Sequence, residues 1–285
     1  MQKHPPSAHA ANPAHERLRR VEGRHNALVK ELRRAFTTGE LTEEGDCAVE
    51  GLRIVEEAIR SGLRFRAVFF RESAEGHVER LIPQIGAHVE TVLLPDKLFS
   101  SVVPTDAPQG VAALVRYRQY SLDDVFAKLD TGPAVVIAGL QDPGNLGSVL
   151  RSAEAFGAAG LLLGEGTVSP FNSKVVRGSA GSLFRLPVVR IKMADALVKL
   201  RERGVRLVAT SSHKGTSLPG ANLATPIAVV IGGEGAGVPR DLLAKVDEIV
   251  AIPHAPQVES LNAGVAASIV LYEMARQRRM LAAES

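Results

Sequence analysis

Three short stretches carry the residue types that could do chemistry. "LQDPGNLGSVLRSAEAFG" (140–157) joins Asp-Pro-Gly-Asn to a helical pattern that carries Arg151. "IGGEGAGVP" (231–239) holds one carboxylate, Glu234, among glycines. "IPHAPQVESLNAGVAASIVLYE" (252–273) sets Ser260, Leu261 and Asn262 ahead of a run of small residues. A carboxylate, two amides, a hydroxyl and a guanidinium suit positioning and charge stabilisation. No clustered His and Cys with metal-ligand spacing accompanies them. The glycine loop fails the dinucleotide test: G-x-G-x-x-G from Gly233 finds Gly235, but Val238 stands where the third glycine belongs. No G-x-x-x-x-G-K-[ST] occurs either, so nucleotide-dependent redox chemistry and NTP hydrolysis lose their support.

Each stretch follows or opens an element that must hold it. The apolar spacing predicts strands at 134–139, 160–163, 205–209, 227–231 and 249–252, and helices at 145–157, 193–203 and 260–278. Such alternation implies a mostly parallel sheet with helices on both faces. Ligands in such sheets sit at the carboxyl ends of strands, which selects the loops 140–145, 232–239 and 252–262. Leu146, Val149, Leu150, Ala153 and Phe156 fall on one stripe that must face the sheet. Arg151 lies about 140° from Leu146 at 100° per residue, pointing away from that core. Asn145 is expected to cap the first helix and Ser260 the last.

The first half reads as helices over 25–36, 49–62 and 76–85, with strands at 65–70, 88–94 and 109–116. "YRQYSLDD" and "DTGP" mark the boundary between the halves. The expected organisation is a disordered basic leader (1–20), a smaller α/β domain (21–118), a linker (119–132) and a larger α/β domain (133–285).

With 285 residues the chain is long enough for two cores. Its 45% hydrophobic and 23% charged residues match a soluble globular protein, and no apolar run approaches the ~20 residues of a membrane helix. The start, "MQKHPPSAHAANPAH", lacks the apolar core of a secretory signal. Cys47 is the single cysteine, so no disulfide can form within the chain and a reducing cytoplasm is expected. It lies in "TEEGDCAVEG", which reads as an acidic turn, and a structural role is favoured over a nucleophilic one. Net charge is only +3, but residues 1–34 hold eight Lys/Arg against three Glu. A basic arm of that kind suits a phosphate-rich partner. The absence of Trp and an aromatic share of 4% speak against a platform of stacked bases.

"DPGNLGSVLRSAEAFG", "VVIGGEGAGVP" and "IPHAPQVESLNAGVAASIVLYE" resemble, in order, the three motifs of the SpoU (TrmH-type) branch of the SPOUT methyltransferases. "SPFNSKVVRGSAGSLFRLPV" is similar to the family's intervening segment, and the half ending in "TDAPQGVAALVR" to the ribosomal-protein-like domain often fused ahead of it. The resemblance implies transfer of a methyl group from S-adenosylmethionine to a ribose 2′-hydroxyl of structured RNA, with ribosomal RNA favoured over transfer RNA. It also implies a trefoil knot in the C-terminal parallel-sheet domain, a homodimer, and no metal or membrane. A transfer-RNA methyltransferase and a catalytically weak RNA-binding homologue are the alternatives. By motif position, donor contacts fall on Thr210, Gly232, Gly233, Ile252, Ser260 and Leu261. Catalytic and positioning roles fall on Asn145, Arg151, Glu234, Ser260 and Asn262. The chain departs from the family where Met and Gly usually follow Ile-Pro, because it has His254 and Pro256 there. A loop histidine is more often a packing residue than a base. Family schemes let the motif 1 arginine activate the hydroxyl. A guanidinium, with an ordinary pKa of about 12.5–13.8, is a poor base, so Arg151 is expected to align the 2′-oxygen and stabilise its developing charge.

Overall fold

The computed structural model describes residues 16–105, 108–224 and 226–284. The chain divides into two compact units, Met1–Arg116 and Tyr117–Ser285. The first contains β1 (Arg19–Arg20), α1 (Ala27–Thr38), β2 (Asp46–Glu50), α2 (Leu52–Arg60), β3 (Phe65–Arg71), α3 (Glu75–Leu81), β4 (Glu90–Leu94), α4 (Asp96–Val102) and β5 (Val111–Arg116). Its sheet runs β1-β4-β3-β5-β2, with β1 and β3 parallel to β4, and β5 antiparallel to β3 and β2. The Asn26 side chain starts α1 by accepting the Leu28 N–H at 3.0 Å. From α1, Val29, Leu32, Ala35 and Phe36 join Leu98, Phe99 and Val102 of α4 over Ala67, Phe69, Val92 and Leu114 of the sheet. On the sheet's other elements, α2 packs against β5 and β2, and α3 against β3.

Two expectations for this unit are corrected. Arg19 and Arg20, placed in a disordered leader, pair with Val92 and Leu93 as an edge strand; the leader through residue 15 lies outside the described residues. Cys47 is in no turn but in β2, whose five residues are all buried. An acidic start to a buried strand is tolerable because Asp46 accepts from Arg116 Nε at 2.7 Å and from an Arg66 guanidinium nitrogen at 3.2 Å. A buried carboxylate needs such partners.

The second unit contains α5 (Leu122–Phe126), β6 (Ala134–Ala138), α6 (Pro143–Ala155), β7 (Gly160–Leu163), α7 (Ser173–Gly178), β8 (Val188–Arg190), α8 (Met193–Glu202), β9 (Arg206–Ser211), β10 (Thr216–Ser217), β11 (Ile227–Gly232), α9 (Arg240–Leu243), β12 (Glu248–Ala251) and α10 (Ala263–Glu284). Seven strands in the order β10-β12-β9-β11-β6-β7-β8 form a sheet parallel throughout, as the alternation of elements implies. Ala134, Val136 and Ala138 of β6 share a core with Ala196, Leu197 and Leu200 of α8. Strand alternation turns Val135 and Ile137 to the opposite face. Four residues of the expected α6 stripe, Leu146, Val149, Leu150 and Ala153, are fully buried. Phe156 instead ends the helix and meets the Tyr272 ring of α10 edge-on at 5.7 Å. Burying each such leucine is worth about 1.5–3 kcal/mol, which exceeds the ~1 kcal/mol cost of each glycine, Gly144 and Gly147, in the same helix. The expected linker is not structureless: Ser121 and Asp124 form a capping box that starts α5, and Val125 enters the core. Among the described residues no helix is long and apolar enough to cross a membrane, and no group of three or more His, Cys, Asp or Glu could hold a metal ion.

Candidate active site

The strands β12, β9, β11 and β6 are neighbours, so the loops that leave their carboxyl ends lie side by side. Thr210 is in register with Val250, and Gly232 with Ala138. Thr210, Gly232 and Ile252 therefore occupy the ends of three adjacent strands. The Thr210 hydroxyl donates to the Val230 carbonyl at 3.3 Å, across to the neighbouring strand.

At Gly232 the chain doubles back on itself. A Cβ there would lie 2.0 Å from the Gly237 carbonyl carbon and 2.2 Å from the Val238 nitrogen, so no other residue fits without opening the turn. A Cβ at Gly233 would lie 2.4 Å from the Gly139 carbonyl oxygen, which brings the β11 and β6 loops into backbone contact. A bridge between Gly233 and Gly237 closes the loop and presents Glu234 at its tip.

Glu234 is the hub. Its carboxylate accepts the Gln141 N–H at 3.0 Å and the Asp142 N–H at 3.1 Å. It also accepts from Asn145 Nδ2 at 2.7 Å. Asn145 Oδ1 in turn accepts from Asn262 Nδ2 at 2.8 Å, and Asn262 Oδ1 accepts the Val265 N–H of α10 at 3.1 Å. The ends of this chain fix its direction, because a carboxylate can only accept and a backbone N–H can only donate. Partial burial pushes the Glu234 carboxyl up, but the Asn145 amide and the Gln141 and Asp142 N–H groups outweigh it and hold it below the ordinary carboxylate range. The three loops singled out from the sequence are thus tied by one relay of side-chain hydrogen bonds.

Both expected caps are corrected here. Asp142, not Asn145, caps α6, accepting the Asn145 N–H at 2.8 Å, with Pro143 at the first helical position. That frees the Asn145 amide, 8% exposed, for the relay. Pro143 was the available signal, since proline favours the first turn of a helix. Asn262, not Ser260, caps α10, which starts at Ala263. Ser260 is exposed and Leu261 half-buried in the segment leading to it.

Arg151 is exposed on α6, off the buried stripe, and has no hydrogen-bond or ion-pair partner among the described residues. The relay does not reach it. Ser152, its neighbour, bonds Ser268 of α10 at 2.6 Å, and a Cβ on Gly264 would stand 3.2 Å from Ser148 Cβ. The small residues of "NAGVAAS" therefore serve close packing of α10 on α6. His254 Nδ1 lies 2.7 Å from the Ile252 carbonyl oxygen, and its ring stands 5.5 Å from that of His213. Its Nε2 is buried without a hydrogen-bond partner among the described residues. Pro256 is exposed.

An all-parallel sheet with polar groups gathered at the carboxyl ends of its strands is the layout of an α/β ligand-binding protein. The chain belongs to the SpoU rRNA methylase family, whose model matches residues 132–272, and residues 26–113 match an MRM3-like substrate binding domain. Among its relatives is the 23S rRNA (guanosine(2553)-2'-O)-methyltransferase RlmP of Bacillus subtilis, 32% identical over 90% of this chain and 99% of that protein. The SpoU methyltransferase AviRb from Streptomyces viridochromogenes, solved in complex with AdoMet, superposes with a TM-score of 0.77 at 29% identity, covering 90% of this chain and 99% of AviRb. An AdoMet-bound rRNA methyltransferase from Sinorhizobium meliloti gives 0.74 at 28% identity over 91% and 98%.

Proposed function

We infer that this chain transfers the methyl group of S-adenosylmethionine to a ribose 2′-hydroxyl of structured RNA, ribosomal RNA in preference to transfer RNA. The observation that carries the reading is the Glu234–Asn145–Asn262 relay, which ties all three motif loops at the carboxyl ends of strands of one parallel sheet. The relatives' names and near full-length coverage favour ribosomal RNA. Bound S-adenosylmethionine supplies an electrophilic methyl on a sulfonium. Thr210, Gly232, Gly233, Ile252, Ser260 and Leu261 would hold it, largely through backbone that side-chain-poor loops leave open. A tightly threaded, knotted path of these loops fits the backbone contacts at Gly232 and Gly233.

Glu234, Asn145 and Asn262 act as positioning residues. Arg151, exposed and unpaired, holds an RNA phosphate and stabilises the negative charge that grows on the attacking 2′-oxygen. The new bond forms between that oxygen and the methyl carbon, the carbon–sulfur pair stays with sulfur, and the hydroxyl proton leaves to solvent or an RNA phosphate. The first unit supplies RNA affinity and the second the chemistry. The partner is a second copy of the chain: Val265 and Tyr272, seven residues apart on one face of α10, are 50% and 54% exposed. The cytoplasm is the place of action. Calorimetry with S-adenosylmethionine and with NAD, together with ribose-methylation maps of ribosomal RNA from a deletion strain and its parent, tests the reading. Donor binding and one lost methylation are expected; NAD binding, or identical maps, would overturn it.

A further inference from the structure

The relay through Glu234 ties the loops after β6, β11 and β12, but it does not touch the loop after β9. That loop, residues 212–215, joins β9 to β10, and both strands pair with β12, one on each side. Thr210 and Thr216 are both in register with Val250, so the loop is a strap that crosses β12 near its carboxyl end. It crosses backbone on backbone: a Cβ on Gly215 would lie 2.0 Å from the Ile249 carbonyl oxygen, and the φ of +107° there favours glycine. On the strap stands His213, its ring 5.5 Å from that of His254 at an angle of 37°. His254 lies on the segment that leaves β12, so the two rings hold strap and segment together.

Within that contact His254 makes one directed bond. Its Nδ1 lies 2.7 Å from the Ile252 carbonyl oxygen. A carbonyl can only accept, so Nδ1 carries the proton, and in the neutral ring Nε2 is the bare nitrogen. Nε2 is also buried, with no hydrogen-bond partner among the described residues. Leaving a buried nitrogen unmet costs free energy that an apolar side chain in the same space would avoid. The imidazole is therefore suited to its bond with Ile252 rather than to filling space. The main chain offers no substitute from position 256, where an N–H could close a turn onto that carbonyl, because Pro256 has none.

We propose that His254 is a positioning residue for the methyl donor. Through Nδ1–H it fixes the Ile252 peptide, and through its contact with His213 it fixes the strap, so that Thr210 and Ile252 are set before the donor arrives. The role rests on the reading of Thr210 and Ile252 as donor contacts given above. It acts on donor affinity and not on the transfer step, because His254 stands outside the relay of Glu234, Asn145 and Asn262.

The experiment uses the full chain, as wild type and as His254→Ala, His254→Asn and His254→Gln. Affinity for S-adenosylmethionine and for S-adenosylhomocysteine is measured by calorimetry, and donor KM and kcat are measured on protein-free ribosomal RNA. An asparagine amide can place an N–H where Nδ1 stands, whereas the glutamine amide reaches to the position of Nε2. The alanine and glutamine variants are expected to lose about fivefold to tenfold in affinity for both ligands, the worth of one net hydrogen bond, and to raise donor KM to match. Their kcat at saturating donor should stay within about twofold, and the asparagine variant should recover most of the affinity. Nitrogen-15 resonance of the His254 ring should show the proton on Nδ1. Wild-type donor affinity in His254→Ala, equal losses in the asparagine and glutamine variants, or a proton on Nε2 in place of Nδ1 would each overturn the proposal and leave the methyltransferase reading intact. Absence of donor binding by the wild type would instead strike the reading itself. If His254→Ala fails to fold, the contrast between asparagine and glutamine decides.

Discussion

Asn145 Nδ2 meets Glu234 Oε1 at 2.7 Å across 89 residues of sequence, and the same amide accepts from Asn262. Glu234→Gln tests that relationship. A glutamine keeps one acceptor oxygen but turns the other into a donor, which then faces the Gln141 or Asp142 N–H. Loss of about 1 kcal/mol is expected, a Tm drop of about 2–4 °C, with weaker donor binding.

The same carboxylate sets a pH dependence. Its folded pKa is depressed, so its contribution is full above the unfolded carboxylate value of about 4.3 and is lost as pH falls through the lower folded value. Tm of the wild type should therefore fall across that acid window more steeply than Tm of Glu234→Gln. Parallel acid limbs for the two proteins would remove Glu234 from the account.

Arg151→Ala should slow single-turnover methylation, at saturating donor and RNA, by about 10²–10³. Donor affinity and Tm should barely move, because the side chain is exposed and off the buried stripe. Arg151→Lys should rescue poorly, since an ammonium cannot reproduce the planar fork. A near-normal rate in the alanine variant would reduce Arg151 to a solvated surface charge.

Tyr272→Asp, or Val265→Asp, places a charge on the exposed apolar face of α10. Light scattering should find a dimer for the wild type and a monomer for either variant. A monomeric wild type at micromolar concentration would refute the dimer.

Cys47 should be inert in the folded chain. Burial first, and the Asp46 charge second, push its thiol up to about 12, so almost no thiolate exists at neutral pH. A thiol reagent should label it only after denaturation; rapid labelling of native protein would show that β2 opens.

The α6 stripe was legible because four of its residues answer to a single helical period, and the parallel sheet because apolar strands alternate with such helices. β2 was not, because "DCAVE" shows no alternation and begins with an acid. Arg66 and Arg116, which make Asp46 tolerable there, come from 20 and 70 residues away. The caps of α6 and α10 were displaced for a related reason. Asn145 and Asn262 both have cap chemistry, and local spacing does not say which amide serves its own helix and which reaches across.

By itself the sequence determined the parallel α/β unit, the three strand-end loops and the outward face of Arg151, since these depend on hydrophobic period and turn chemistry within short windows. Tertiary structure alone decided that Glu234, Asn145 and Asn262 form one relay, and that a bare Gly232 is required by Gly237 and Val238. Hydrogen bonds and backbone contacts act over about 3 Å. Which groups come that close, when 89 or 117 residues separate them, is settled only by the packing of the strands between them.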